Sequence, residues 1–207
     1  MALHTYVVHW DHGFAPNPFQ GFCTLATCKP AIRKKAEIGH WVLGTGSAAR
    51  KCPAGGKYQG RAIFIMKVTK IITFNEYWDG PEYQCKRPIM NGSLRQRFGD
   101  NIYHQNPEGH WIQADSRHSL NGQPNEKNLK RDTRTTDRVL IGREFTYWGE
   151  DAPLIPSQFA DFVIARPGDK TITDPVAIAE FVKWAKSDGL SGRVGDPLDW
   201  RSERRWK

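Results

Sequence analysis

His40-Trp-Val-Leu-Gly-Thr-Gly-Ser47 and, further along, Arg61-Ala-Ile-Phe-Ile-Met-Lys-Val-Thr-Lys-Ile-Ile-Thr73 are the stretches on which the fold turns. The first reads as a strand, His40 to Leu43, running into a glycine-rich loop from Gly44 to Gly60. The second is the longest and most apolar strand in the chain. Upstream, Tyr6 to Trp10 is a short first strand, followed by a Pro- and aromatic-rich loop from Asp11 to Gly21. Pro30 then suits the first position of a short helix that Gly39 stops. Phe74 to Trp78 reads as one helical turn carrying aromatics, and Arg138 to Trp148 as a further strand, bent at Gly142. Residues 79–137 are polar with little periodicity, and so long a span is expected to cover the strands or build a site. Near the end, Asp174 as N-cap, Pro175 at the first helical position and apolar Ile178, Phe181, Val182 and Ala185 predict a helix that Gly189 stops.

The 207 residues suit one full domain, or one domain with a C-terminal extension. With 39% hydrophobic and 25% charged residues, the composition is that of an ordinary globular protein and excludes a disordered one. No run approaches the length of a membrane span, and Met1 to Val8 lacks the pattern of a signal peptide. A cytoplasmic protein without membrane contact is expected. Its four cysteines, Cys23, Cys28, Cys52 and Cys85, are then expected to be reduced. Cys23 and Cys28 stand at the long end of zinc-ligand spacings, but no compact second pair follows, so no metal and no cofactor is expected.

Charge is unevenly placed. Lys29 to Lys70 carries ten basic residues against the single acid Glu37, a net of +9, in a chain whose formal net charge is +8. One basic field in an otherwise near-neutral chain is the footprint of a polyanion binder, most often nucleic acid. Gly44-Thr-Gly-Ser-Ala-Ala49 matches a dinucleotide-binding fingerprint in letters, yet Pro53, Gly55 and Gly56 preclude the long helix that the motif needs. The loop still offers backbone amides and cations to phosphates. Between residues 100 and 118, Asp100, His104, Asp115 and His118 supply acid–base groups at a spacing that matches no known motif. Eight tryptophans is a high count, and several flank strand ends, where an aromatic can stack a base.

Pro30-Ala-Ile-Arg33 followed by Glu37-Ile-Gly-His-Trp-Val-Leu-Gly-Thr-Gly-Ser47 resembles a segment of PUA-like domains, in particular the EVE and ASCH groups. More closely, the chain resembles the nucleotide modification associated domain 2 family. Phe14 to Phe19, Gly21 to Arg33, Gly44 to Ser47, Gly99 to His104 and Asp115 to Ser119 carry that likeness. The resemblance implies an α+β fold: a PUA-like open β-barrel over residues 1–160 with short flanking helices, then a C-terminal helix and basic tail over 161–207. It also implies a role in handling modified bases.

The expected function is a nucleic-acid-binding module that recognises DNA rather than RNA, through a modified or flipped base, within a DNA modification or defence system whose proteins are further candidate partners. The base pocket is expected from Trp10, Phe14, Asn17, Phe19, Thr45, Ser47, Asn101, Tyr103 and His118. Arg33, Lys34, Lys35, Arg50 and Lys51 are expected to hold phosphates. The alternative is a nucleotide- or nucleic-acid-processing enzyme using Asp100, His104, Asp115 and His118.

Overall fold

The computed structural model describes residues 1–48, 56–164 and 168–203. In chain order the elements are β1 (Leu3–Val8), β2 (Cys23–Leu25), α1 (Pro30–Lys35), β3 (Trp41–Gly46), β4 (Ala62–Lys67), β5 (Lys70–Ile72) and α2 (Phe74–Asp79). A 3-10 helix (Pro81–Lys86), α3 (Leu94–Arg97), β6 (Tyr103–Gln105), β7 (Trp111–Gln113) and α4 (Glu126–Thr133) follow. The chain continues with β8 (Val139–Gly142), β9 (Glu144–Tyr147), β10 (Asp169–Ile172), α5 (Pro175–Ala185), β11 (Gly192–Arg193) and α6 (Trp200–Glu203).

The architecture is mixed α+β. A six-stranded sheet has the order β10-β1-β3-β4-β9-β11, beside a three-stranded sheet β2-β8-β5 and a two-stranded sheet β6-β7. The described strands do not close into one barrel. β1, buried along its whole length, runs parallel to β3 and antiparallel to β10. A strand covered on both faces reads as a continuous apolar run rather than as an alternation.

Two expected long strands each break into two. The run from Arg61 to Thr73 becomes β4 and β5, and the run from Arg138 to Trp148 becomes β8 and β9. β4 pairs with β9 in the large sheet, while β5 pairs with β8 in the small one, so one pair of chains passes from sheet to sheet at a shared corner. Thr69 fastens it: its backbone N–H (2.8 Å) and its hydroxyl (3.2 Å) both donate to the Ile141 carbonyl. Gly142 is required there, because a Cβ would sit 2.7 Å from the Lys67 carbonyl oxygen. Bends of this kind are how a strand changes sheets.

The first apolar core lies between the large sheet and α5, where Phe162 stacks on Phe181 at 4.4 Å and Phe159 meets it edge-on. Each such side chain contributes about 1.5–3 kcal/mol by leaving water. α5 begins as expected, with the Asp174 carboxylate accepting from the N–H groups of Val176 (2.9 Å) and Ala177 (3.3 Å). A second core, built on Phe14, Phe74, Tyr77, Tyr103 and Leu129, binds the polar span 79–137 to β5 and β8. That span contains α2's neighbours and the eight-residue helix α4, where a polar sequence with little periodicity points to no helix. Among the described residues no helix is long and apolar enough to cross a membrane.

Candidate functional site

The site starts from an unusual backbone. Cys28 and Lys29, neither a glycine, both have left-handed φ, +57° and +43°, immediately before Pro30 opens α1. Such a conformation costs on the order of 1 kcal/mol per residue and persists only where the surroundings impose it. Here the Cys28 N–H donates to Asp132 Oδ1 at 2.9 Å, and Arg33 Nε donates to the Cys28 carbonyl at 2.9 Å. The elbow turns the Cys28 thiol towards His118, with Sγ 3.6 Å from Nε2.

On its other nitrogen, His118 Nδ1 lies 3.3 Å from Asp132 Oδ2 and 3.2 Å from the Tyr103 hydroxyl. Tyr103 donates to the same carboxylate oxygen at 3.0 Å, and Arg131 donates to both oxygens, at 2.8 and 2.9 Å. A carboxylate on the Nδ1 side favours the proton there and leaves Nε2 facing the sulfur. Burial raises the cost of ionising Asp132, but the His118 and Arg131 hydrogen bonds outweigh it and hold the carboxyl at about 2. Burial likewise opposes a charged His118, yet Asp132 and Cys28 prevail and its pKa lies above the ordinary histidine value.

These groups open onto a cleft of ≈ 620 Å³, a size usual for small-molecule sites. Its wall includes Trp10 and His12, the outer members of a series of nearly parallel rings. Phe98 stacks on His12 at 4.9 Å and 8°, and His12 on Trp10 at 6.3 Å and 1°. The outermost ring, Trp10, is 48% exposed. Phe14 sets its edge against His118 at 4.6 Å. Burial, then Arg117, lowers the His12 pKa to about 4, so this ring is neutral near pH 7. Charged side chains complete the cleft: Lys29, Arg117 and Arg131 line it together with Asp169.

The expected residues are scattered relative to this cleft. Trp10, Phe14 and His118 line it, and Tyr103 stands behind it against Asp132. Asn17 and Asn101 are buried braces. Asn17 Oδ1 accepts from Lys86 Nζ at 2.7 Å, and Asn101 Nδ2 donates to the Tyr77 carbonyl at 2.7 Å. Phe19 is buried against Trp200, and the Thr45 hydroxyl donates to the Tyr6 carbonyl inside the large sheet. Ser47 follows β3 and is not among the cleft residues.

The four candidate acid–base groups do not converge. Asp100 is fully buried, accepting from Thr24 Oγ1 (2.6 Å) and the Tyr77 hydroxyl (2.8 Å). His104 stacks on Trp78 at 4.0 Å, with Arg87 against the same indole. Asp115 accepts from Ser119 in a neighbouring hollow, leaving His118 alone on the cleft. Among the expected phosphate ligands, Arg33 is withdrawn: it is fully buried and donates to the carbonyls of Cys28, Asp132 and Arg138. Lys34 and Lys35 are exposed on α1, Lys35 beside Asp169 at 3.6 Å, whereas Arg50 and Lys51 lie outside the described residues.

Sequence reading assigned no role to Arg131 and Asp132, and offered Cys28 only as a zinc-spaced neighbour of Cys23 and Lys29 only as one of ten basic residues. A cysteine before Lys-Pro gives no sign of a left-handed turn, because the residue before proline is expected to be extended. Asp132 and Arg131 ride on α4, whose one buried apolar residue, Leu129, leaves no amphipathic stripe to detect.

A cleft walled by a short aromatic loop, an elbow ahead of α1 and the face of α4 defines an α+β protein with a polar relay at the mouth of a ligand-sized cleft. The model of the nucleotide modification associated domain 2 family matches residues 1–204, and the chain belongs to that family. No curated protein and no solved structure matches the chain.

Proposed function

We propose that the protein recognises DNA within a nucleotide-modification system, holding a base lifted from the stack in the Trp10–His118 cleft. The observation that carries this reading is the ring column Phe98–His12–Trp10, which ends in an exposed indole on a cleft lined with cations. A flat base placed on Trp10 extends the column, and base–aromatic stacking is worth about 1–3 kcal/mol. That range covers much of the few kcal/mol that lifting a base from a duplex costs. Lys29, Arg117 and Arg131 supply positive charge beside the base, and Lys34 and Lys35 extend the field along α1. Kinship to PUA-like domains belongs to the same proposal and rests on the sequence of residues 30–47.

Fluorescence anisotropy with plain and base-modified oligonucleotides, single- and double-stranded, is the test. Trp10→Ala is expected to weaken the preferred base about tenfold or more while leaving affinity for other sequences nearly intact. An equal loss on every oligonucleotide would reject the cleft as the base site. The double variant Lys34→Ala/Lys35→Ala is expected to lower affinity uniformly and to flatten the dependence on salt by about one phosphate contact per lysine. Lys35 has Asp169 as a neighbour, so its share is expected to be the smaller.

A second reading, processing of the bound nucleotide, is favoured by one specific observation: the thiol–imidazole–carboxylate series of Cys28, His118 and Asp132.

A further inference from the structure

We propose that Cys28 is the nucleophile of an acyl-transfer site, with His118 as its acid–base partner and Asp132 as a positioning residue, acting on an amide or ester substituent of the ligand in the cleft. The nucleophile rests on geometry alone; that the acyl group is carried by a nucleotide rests on the proposed function.

Three features point the same way. First, the two nitrogens of one imidazole face different acid–base partners, Nε2 the sulfur at 3.6 Å and Nδ1 the carboxylate at 3.3 Å, with Arg131 Nη2 3.4 Å from both. That is the arrangement in which a base takes a thiol proton while a third group orients the ring. Second, the backbone is forced. Two successive left-handed residues are held by Asp132 and Arg33, so the sulfur is presented by an elbow that the fold maintains against its own preference. Third, the cysteines differ. Cys23 is sealed in the core, where burial pushes its thiol up to about 12. Cys85 is exposed but donates to its own 3-10 turn at the Glu82 carbonyl. Cys28 is half-buried and lines the cleft. Lys29, Arg117 and Arg131 surround the same space, so a phosphate on the ligand and negative charge developing on an acyl oxygen both meet cations.

The step closes with water alone. His118 Nε2 takes the thiol proton as Sγ bonds to the acyl carbon. The carbon–nitrogen or carbon–oxygen bond then breaks, and the same proton goes to the leaving amine or alcohol. His118 next takes a proton from water, whose oxygen attacks the thioester carbon. The carbon–sulfur bond breaks and the sulfur recovers the proton. The net change is acyl–X plus water to carboxylic acid plus H–X.

Asp132 touches no substrate in this scheme and acts through the ring. Asp132→Asn therefore has a signature that loss of structure lacks. Without the carboxylate the His118 pKa falls, so the pH profile of acylation moves to lower pH, at a lower maximum.

The test uses p-nitrophenyl acetate as acyl donor and iodoacetamide as alkylating probe on the whole chain, read by p-nitrophenolate release and peptide mass. Wild-type protein is expected to give a burst with an acetyl adduct on Cys28, and to alkylate at Cys28 about tenfold or more faster than at Cys85. Cys28→Ser should remove the burst, and His118→Ala should slow acylation about 100-fold. Circular dichroism and the thermal midpoint of each variant report whether the protein still folds. A folded Cys28→Ser variant without acylation supports the proposal. Acylation with no nucleic-acid affinity leaves the nucleophile standing and removes the nucleotide substrate. No burst in wild type, with Cys28 alkylated no faster than Cys85, overturns it. So does a burst that survives in Cys28→Ser.

Discussion

Asp132→Ala is expected to destabilise the protein by about 3–5 kcal/mol at pH 7, the cost of removing one member of a buried charged network. The carboxylate is fully buried and accepts from the Cys28 N–H, the Tyr103 hydroxyl and Arg131, with His118 at its edge. Its loss leaves the Cys28 N–H without its partner, a group that costs about 1–3 kcal/mol, and takes the counter-charge from Arg131 and His118. For a chain of this length, Tm should fall on the order of 10 °C, measurable by calorimetry. A fall corresponding to less than about 1 kcal/mol would show that the network is incidental. The pH dependence has a definite sign. The folded pKa is about 2 and the ordinary aspartate value 3.8, so the unfolded chain takes the proton first. The stabilisation, about 2 kcal/mol by linkage, is complete above pH 4 and disappears as pH falls through 2. The alanine variant lacks that acid-sensitive component.

Lys86→Met is expected to cost about 3 kcal/mol, with a pH signature on the alkaline side. Lys86 is buried, and Nζ donates to the Asn17 carbonyl (3.0 Å), Asn17 Oδ1 (2.7 Å) and the Phe22 carbonyl (2.9 Å). Burial brings its pKa down from 10.5 to about 8, against the pull of Asp100. Between pH 8 and 10.5 the unfolded chain therefore holds more protons than the folded one, and the stability of the wild type gains with rising pH. Urea midpoints taken across that window for both proteins isolate the effect. The difference between them should widen as pH rises, since methionine has nothing to titrate. A constant difference would mean that Lys86 titrates normally.

β1, β3, β4 and α5 were legible because their residues leave water in regular patterns, with apolar runs at residues 41–43 and 62–66 and a helical stripe capped by Asp174. β3 runs on to Gly46, however, where a loop was expected from Gly44, and the short polar strands β10 and β11 carry no such pattern. The family was legible too, from the strings at 14–33 and 99–119. The corner at Gly142 was visible only as a bend, since nothing in one strand announces that its partner bends as well. The cleft was half legible. Trp10, Phe14 and His118 belong to types that invite notice, and they do meet. Arg33 was misjudged because a cation in a basic run gives no hint that three carbonyls will enclose it. Asp132, the group that organises the relay, sits on a helix with almost no apolar pattern and stands 104 positions from the cysteine it restrains.

The Asp11–Phe14 loop is fastened by distant chain. Its Asp11 N–H donates to Asp199 Oδ2 at 2.7 Å across 188 positions, Trp200 Nε1 donates to the His12 carbonyl at 2.9 Å, and Tyr147 holds the Asp11 carboxylate at 2.6 Å. Contacts so remote in sequence are among the slowest to form, because loop closure must precede any gain from them. A nascent chain on the ribosome thus displays Trp10 and Cys28 long before the pieces that enclose them exist. The aromatic loop is fastened only after synthesis has passed Trp200, so a shorter chain lacks the anchor of that wall of the cleft.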